Sequence, residues 1–344
     1  MTQTRILPAV LVLAIATLMG CNIQARSERA FGHYAESQML AETGDLDAAL
    51  AELAKAIRAD PSLSVAHTAM GDIRRKQGNH RLAAQSYQAA CKTNPYSFRP
   101  HYNLGTNYQI LAEAAKTIKA YNEYVRKAVH TYLRAVIIRP DDFDTNLNLS
   151  ACYFQLGKYD LAEEYCKAAV AADPDSPQAY SNLGIIYDSQ NRLYKAVKAY
   201  KASLELDTNQ PKILLNLGAT YLRQGPNPLG RCKSALRVFE IAAEQAPDDP
   251  APHRQMGACH YRLKDYPTAI EAYQKALTLD KNDAAAYRGL GTVYVTQFVL
   301  DRKQTDLRDN GLEAWNASLE IDPDQQNLIR LVRKYTPKDK PPEL

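Results

Sequence analysis

Asn148, Asn182 and Asn216 stand 34 residues apart, with Asn103 before them and Gln255 after them. A side-chain amide carries both N–H donors and a carbonyl acceptor. Amides repeated at one spacing can hydrogen-bond the backbone of an extended peptide whatever its sequence. All five lie in segments of helical periodicity, where Asn is a poor helix former. A column of them needs a reason beyond helix formation. The blander reading stands beside it, that they satisfy neighbouring backbone groups or face solvent.

The other chemistry-bearing residues point away from catalysis. There is no His-Glu-x-x-His and no Gly-x-Ser-x-Gly. The stretch Gly225–Cys232 has the glycines of a phosphate loop, but it lacks the Lys and the Ser/Thr and carries two prolines. Four of the seven His (His33, His67, His101 and His253) recur at one repeat position, which favours packing over metal binding. Five Cys follow Cys21, an odd number that argues against a full disulfide framework. Cys152 and Cys166 would lie in the two helices of one hairpin, as a disulfide or as small apolar fillers. The pairs Asp141-Asp142 and Asp248-Asp249 fall where a helix begins, so capping is expected of them. No catalytic residue, metal site, cofactor or small-molecule substrate is expected. A formal charge of +4, from 42 basic and 38 acidic residues, leaves no footprint for nucleic acid.

The elements that position these residues follow from a period. Pro61 and Pro95, Pro140 and Pro174, Gly184 and Gly218, and Gly257 and Gly291 are each 34 residues apart. Leu104-Gly105, Leu183-Gly184, Leu217-Gly218 and Leu290-Gly291 repeat one pair, with Tyr108, Tyr187, Tyr221 and Tyr294 three residues after the Gly. A second aromatic follows as Tyr87, Tyr132, Tyr200, Phe239, Tyr273 and Trp315. Small Gly lets two helices approach and a large ring fills the space beside it. Proline after most second helices, as at Pro61, Pro95, Pro140 and Pro174, stops them. The pattern resembles the tetratricopeptide repeat (TPR) over residues 30–323. It implies an all-α solenoid of about eight helix-turn-helix repeats in a right-handed superhelix. The units lie near 30–63, 64–97, 98–142, 143–176, 177–210, 211–249, 250–283 and 284–323.

Three units are long. The third holds eleven extra residues around Leu111–Tyr124, three turns at 3.67 residues each, so they can lengthen the helices without rotating the apolar face. The sixth has five extra around Gly225–Gly230, and the eighth has eight around Gln297–Asp309. Both are expected as loops. Residues 324–336 should form an amphipathic capping helix over the last repeat, and 337–344 a disordered tail.

At the other end, Arg5, the apolar run Ile6–Leu18 and Met19-Gly20-Cys21 have the order of a secretory signal. The run is shorter than the ~20 residues a spanning helix needs. Leu18-Met19-Gly20-Cys21 resembles a bacterial lipobox. That resemblance implies signal removal over 1–20, lipidation of Cys21 and a short polar tether over 21–29. Asn22, by the enteric sorting rule, leans towards the outer membrane. In the TPR family, positions 2, 5, 6, 9, 12 and 13 line a concave groove. Asn103, Asn148, Asn182, Asn216 and Gln255 all fall at position 6, and they resemble the asparagine ladder in the repeat arm of the O-linked N-acetylglucosamine transferases. The carboxylate clamp of chaperone-binding repeats is not matched, since positions 5 and 9 hold residues such as Tyr102 and Thr106. The expectation is a non-enzymatic scaffold of the bacterial cell envelope. Its partners are a membrane, through the lipid, and an envelope protein, through an extended segment in the groove. Glycan contacts that assist polysaccharide export are the alternative.

Overall fold

The computed structural model describes residues 6–225 and 228–337, with side chains from Gln24 onward except Pro228. Among the described residues there are seventeen α-helices and no strand. They fall into two compact units, Met1–Asp173 and Pro174–Leu344. The first holds α1 (Ile6–Thr43), α2 (Leu46–Ala59), α3 (Ser64–Lys76), α4 (His80–Thr93), α5 (Phe98–Glu113), α6 (Ile118–Ile138), α7 (Phe143–Gln155) and α8 (Tyr159–Ala172). The second holds α9 (Pro177–Ser189), α10 (Leu193–Leu206), α11 (Pro211–Arg223), α12 (Pro228–Gln245), α13 (Pro250–Arg262), α14 (Tyr266–Leu279), α15 (Ala284–Leu300), α16 (Thr305–Ile321) and α17 (Gln326–Tyr335). Within each unit every helix packs on the next in the chain, so the core is a row of small clusters. This is an all-α TPR solenoid.

The seam between paired helices explains the glycines. A Cβ on Gly71 would lie 2.5 Å from the Tyr87 ring, on Gly105 2.6 Å from Tyr132, and on Gly184 2.5 Å from Tyr200. Tyr87, Tyr132, Tyr200 and Phe239 are all fully buried against these bare backbones. The hairpin turns share one backbone solution. Gly78 (φ +76°) and Gly157 (φ +70°) take the left-handed conformation, and Lys264 takes it at the same repeat position (φ 61°). Between hairpins, Asp142 accepts from Thr145 N at 2.8 Å and Asp249 from Ala251 N at 2.9 Å, so the acidic pairs cap helices as expected.

The histidines that recur at one repeat position do more than pack. His67 and His101 place Nε2 3.0 Å from the carbonyls of Pro61 and Pro95. Asn146 donates to the Pro140 carbonyl at 2.8 Å from the same repeat position. Each such contact satisfies a loop carbonyl that no helix can reach.

The long units resolve mostly as helix. The hairpin α3/α4 has helices of 13 and 14 residues, whereas α5 has 16 and α6 has 21. The third unit's insertion is thus absorbed as helical turns. The loop expected over Gln297–Asp309 is largely absent: α15 runs through Leu300 and α16 starts at Thr305. Phe298 and Val295 are buried there, and that apolar spacing keeps the extra turns helical. In the sixth unit α12 begins at Pro228, so Gly230 is helical, and residues 226–227 lie outside the described residues.

Residues 21–29 continue α1 without a break, so the expected tether is helical. Gln24, Ala25, Arg26 and Glu28 are good helix formers and nothing among them interrupts the ladder. Residues 1–5 of the expected signal and 338–344 of the expected tail lie outside the described residues. No helix among the described residues is long and apolar enough to cross a membrane.

Candidate peptide-binding site

The five amides sort into two groups. In the first unit Asn103 sits on α5 and Asn148 on α7, both half-buried. Asn103 Nδ2 donates to Asp72 Oδ1 at 2.8 Å. Asn148 lies beside the Tyr102 hydroxyl, whose pKa burial pushes up. Asn103 is therefore already engaged, whereas Asn148 only stands within reach of the Tyr102 hydroxyl. In the second unit Asn182 sits on α9, Asn216 on α11 and Gln255 on α13, again half-buried. The side chains of these three make no hydrogen bond among the described residues. α9 and α11 touch, so Asn182 and Asn216 stand on adjacent first helices. Their neighbours close round them differently. Asp188 accepts from Thr220 Oγ1 at 2.9 Å and pairs with Arg223, which locks α9 to α11 without using either Asn.

Asp72 is the residue that sequence reasoning missed. It accepts from Tyr87 Oη at 2.7 Å, Asn103 at 2.8 Å and Arg99 Nη2 at 2.8 Å. One carboxylate thus joins three repeat elements, α3, α4 and α5. Burial, and next Asp72 itself, drive the Tyr87 phenol far above its ordinary pKa, so it stays a donor. The signal was present in the spacing. Asp72 stands at position 9 of one unit and Asn103 at position 6 of the next, two groove positions. A cavity of about 380 Å³ opens there, walled by Tyr34 and Gln38 of α1, Asp72 and Arg75 of α3, and Arg99 and Asn103 of α5. Arg75 Nε is buried in its wall with no hydrogen-bond partner among the described residues.

Other candidates for chemistry are accounted for. His33, Glu36 and Glu52 bring one ligand atom each within 4.8 Å of the others. Glu52, however, already accepts from His33 Nδ1 at 2.7 Å and from Lys55 at 2.5 Å. Lys55 first, then His33, hold its carboxyl below the usual value. The cluster is an ion-pair network fastening α1 to α2. Cys152 and Cys166 are free thiols, buried in one hairpin. Burial pushes Cys152 up to about 12 and Cys166 to about 11. Cys232 of α12 and Cys259 of α13 share one buried cluster, and Cys259 is pushed up to about 12 by burial first and Cys232 second. Cys21 lies within α1, at the middle of a continuous helix.

Comparison with known proteins places this geometry. No curated protein matches the chain. A solved tetratricopeptide repeat protein from Parabacteroides merdae ATCC 43184 superposes with a TM-score of 0.50 at 17% identity, covering 77% of this chain and 99% of that one. The Cut9–Hcn1 structure of the APC/C gives a TM-score of 0.52 at 16% identity over 85% of this chain and 53% of that one. YrrB, titled a TPR protein with an unusual peptide-binding site, gives 0.47 at 18% identity over 59% of this chain and 98% of that one. At these identities the first two likenesses speak to fold alone. The family model of the cilia and flagella-associated protein 70 C-terminal domain, a TPR domain, matches residues 22–286, and the chain belongs to that tetratricopeptide-repeat family.

Proposed function

We propose that the chain is a scaffold of the bacterial cell envelope, anchored by lipid on Cys21, that binds an extended segment of a partner protein. The observation that carries the binding half is the set of unengaged amides at Asn182, Asn216 and Gln255. A half-buried amide without a partner forgoes hydrogen bonds that an extended backbone would supply. The touching helices α9 and α11 present two of them side by side. Glycan binding is less well supported, because the large rings Tyr87, Tyr132 and Tyr200 are spent inside hairpins. The anchoring half is supported by the lipobox-like Leu18–Cys21, and Asn22 favours the periplasmic face of the outer membrane for it.

The binding half is tested with Asn182→Ala combined with Asn216→Ala, by fluorescence anisotropy on a panel of unstructured peptides and on oligosaccharides. Each lost amide–backbone bond is worth about 0.5–1.5 kcal/mol, so peptide affinity should fall about tenfold. Stability should stay within about 0.5 kcal/mol, since neither amide holds the fold. Undiminished peptide affinity in the double variant would sink the reading, as would binding of oligosaccharides alone.

A further inference from the structure

We propose that the outer groove between α4 and α6 is a docking site for an acidic peptide segment that carries an apolar side chain. The groove is separate from the amides above. It lies where second helices of successive repeats face each other across α5, and it encloses about 530 Å³. The corresponding groove one repeat earlier encloses about 300 Å³. The two are equivalent by register, since His67 and Met70 line one where His101 and Leu104 line the other, 34 residues on. The larger volume accompanies the seven additional residues of α6 relative to α4.

The groove has an apolar floor and a basic rim. Leu104, Tyr108 and Thr131 are buried in the floor, and Gln88 Nε2 ties down the Tyr108 hydroxyl at 2.6 Å. Along the rim Arg126, His130 and Arg134 follow one another at four-residue steps on one strip of α6. The one acidic lining residue is Glu123, and Lys127 already occupies it at 2.7 Å. Neither Arg126 nor Arg134 has an ion-pair partner among the described residues. His101 in the floor is held below its ordinary pKa by burial, and Arg134 and His130 push the same way. Stacked basic groups on one strip repel, at a cost that an anionic occupant would remove.

Charge and shape together select the occupant. Arg126 to Arg134 spans about 12 Å of helix, which four residues of extended chain match at about 3.3 Å each. Carboxylates would meet the two guanidiniums as charge-assisted hydrogen bonds. An apolar side chain between them would fill the floor. A membrane surface would meet the rim but leave the recessed floor empty.

The experiment uses the full chain and an alternating Glu–Leu octapeptide bearing a benzophenone and a fluorophore. Binding should fall at least tenfold in Arg126→Glu with Arg134→Glu, while an alternating Lys–Leu octapeptide gains affinity for that variant. Photo-crosslinks should map within residues 88–134. Both arginines are exposed, so melting should be unchanged. If the charge reversal unfolds the chain, Arg126→Gln with Arg134→Gln should still lose affinity for the Glu–Leu peptide. Asn182→Ala with Asn216→Ala should leave this binding intact, which separates its failure from failure of the inner groove. Equal affinity of wild type and charge variants, crosslinks elsewhere, or a loss confined to phosphatidylglycerol vesicles would each overturn the proposal.

Discussion

A glycine opposite a ring decides whether each hairpin closes. Gly184→Ala would place a methyl 2.5 Å from Tyr200 Cδ1 and Cε1, and Tyr200 is almost wholly buried, so its ring has nowhere to turn. Overpacking of this kind costs about 1–3 kcal/mol, and urea unfolding should register it as a lower midpoint at unchanged slope. The thiols give a second prediction. Burial lifts Cys152 and Cys259 to about 12 and Cys166 to about 11. Raised values leave less thiolate at pH 8 than a free Cys holds. Native protein should therefore leave these three unmodified by maleimide at pH 8, with modification appearing in urea. Rapid native labelling would contradict the burial. The seam was legible because Gly and aromatic recur at fixed spacing, so one physical rule explains many residues. The link from Asp72 to Asn103 was legible only as two groove positions, not as a bond between them. It joins two repeats, and a period describes what units share rather than how one carboxylate serves its neighbour. The cluster shared by Cys232 and Cys259 escaped for the same reason, whereas Cys152 and Cys166 drew notice by sharing a hairpin.

At the scale of elements the outcome turns on what each insertion can bury. The eleven residues of the third unit lengthened α5 and α6, as a near-integral number of turns allows. The eighth unit's insertion, around Gln297–Asp309, reads as polar and charged, which points to a loop. Its first part nevertheless extends α15, because Phe298 is buried. Composition averaged over a segment hid one apolar residue in helical register. The C-terminal helix was plain from its pattern. Leu328 and Val332 of α17 pack into a cluster with Val295, Leu312, Trp315 and Leu319, and Tyr335 tilts against Trp315 at 6.1 Å. Without α17 the end of the second unit would expose that cluster to water. Leu328→Ala should cost about 2–5 kcal/mol by transfer and cavity terms. Since each hairpin touches only its neighbours, the loss should be local. Hydrogen exchange should quicken in α17 and in α16, and stay slow in α13 and α14. Uniform loss of protection across the second unit would show that the array unfolds as one body instead.

At the scale of the molecule, the proposed anchoring would tie the hairpins to a membrane through one residue. No described helix is long and apolar enough to cross a bilayer, and the packing of both units is spent on neighbouring helices. On our reading the tie is covalent and lies at Cys21. One acyl chain gives marginal, reversible attachment, whereas two or three hold firmly, so attachment should be nearly all-or-none in the modification of one thiol. Signal removal before Cys21 would leave Cys21–Thr43 of α1, which still carries Ala30 and the contacts to α2. The fold should therefore not depend on the lipid. Cys21→Ala tests this directly. Expressed in a diderm bacterium with labelled palmitate, the variant should lose the label and move from the carbonate-resistant membrane pellet to the soluble fraction. Its circular dichroism and melting temperature should match those of the released wild-type domain. Asn22→Asp, with lipidation intact, should keep the label and shift the protein towards the inner membrane where the enteric sorting rule operates. A Cys21→Ala variant that stays in the pellet would place the attachment elsewhere, and the two grooves would then have to be read without a membrane beside them.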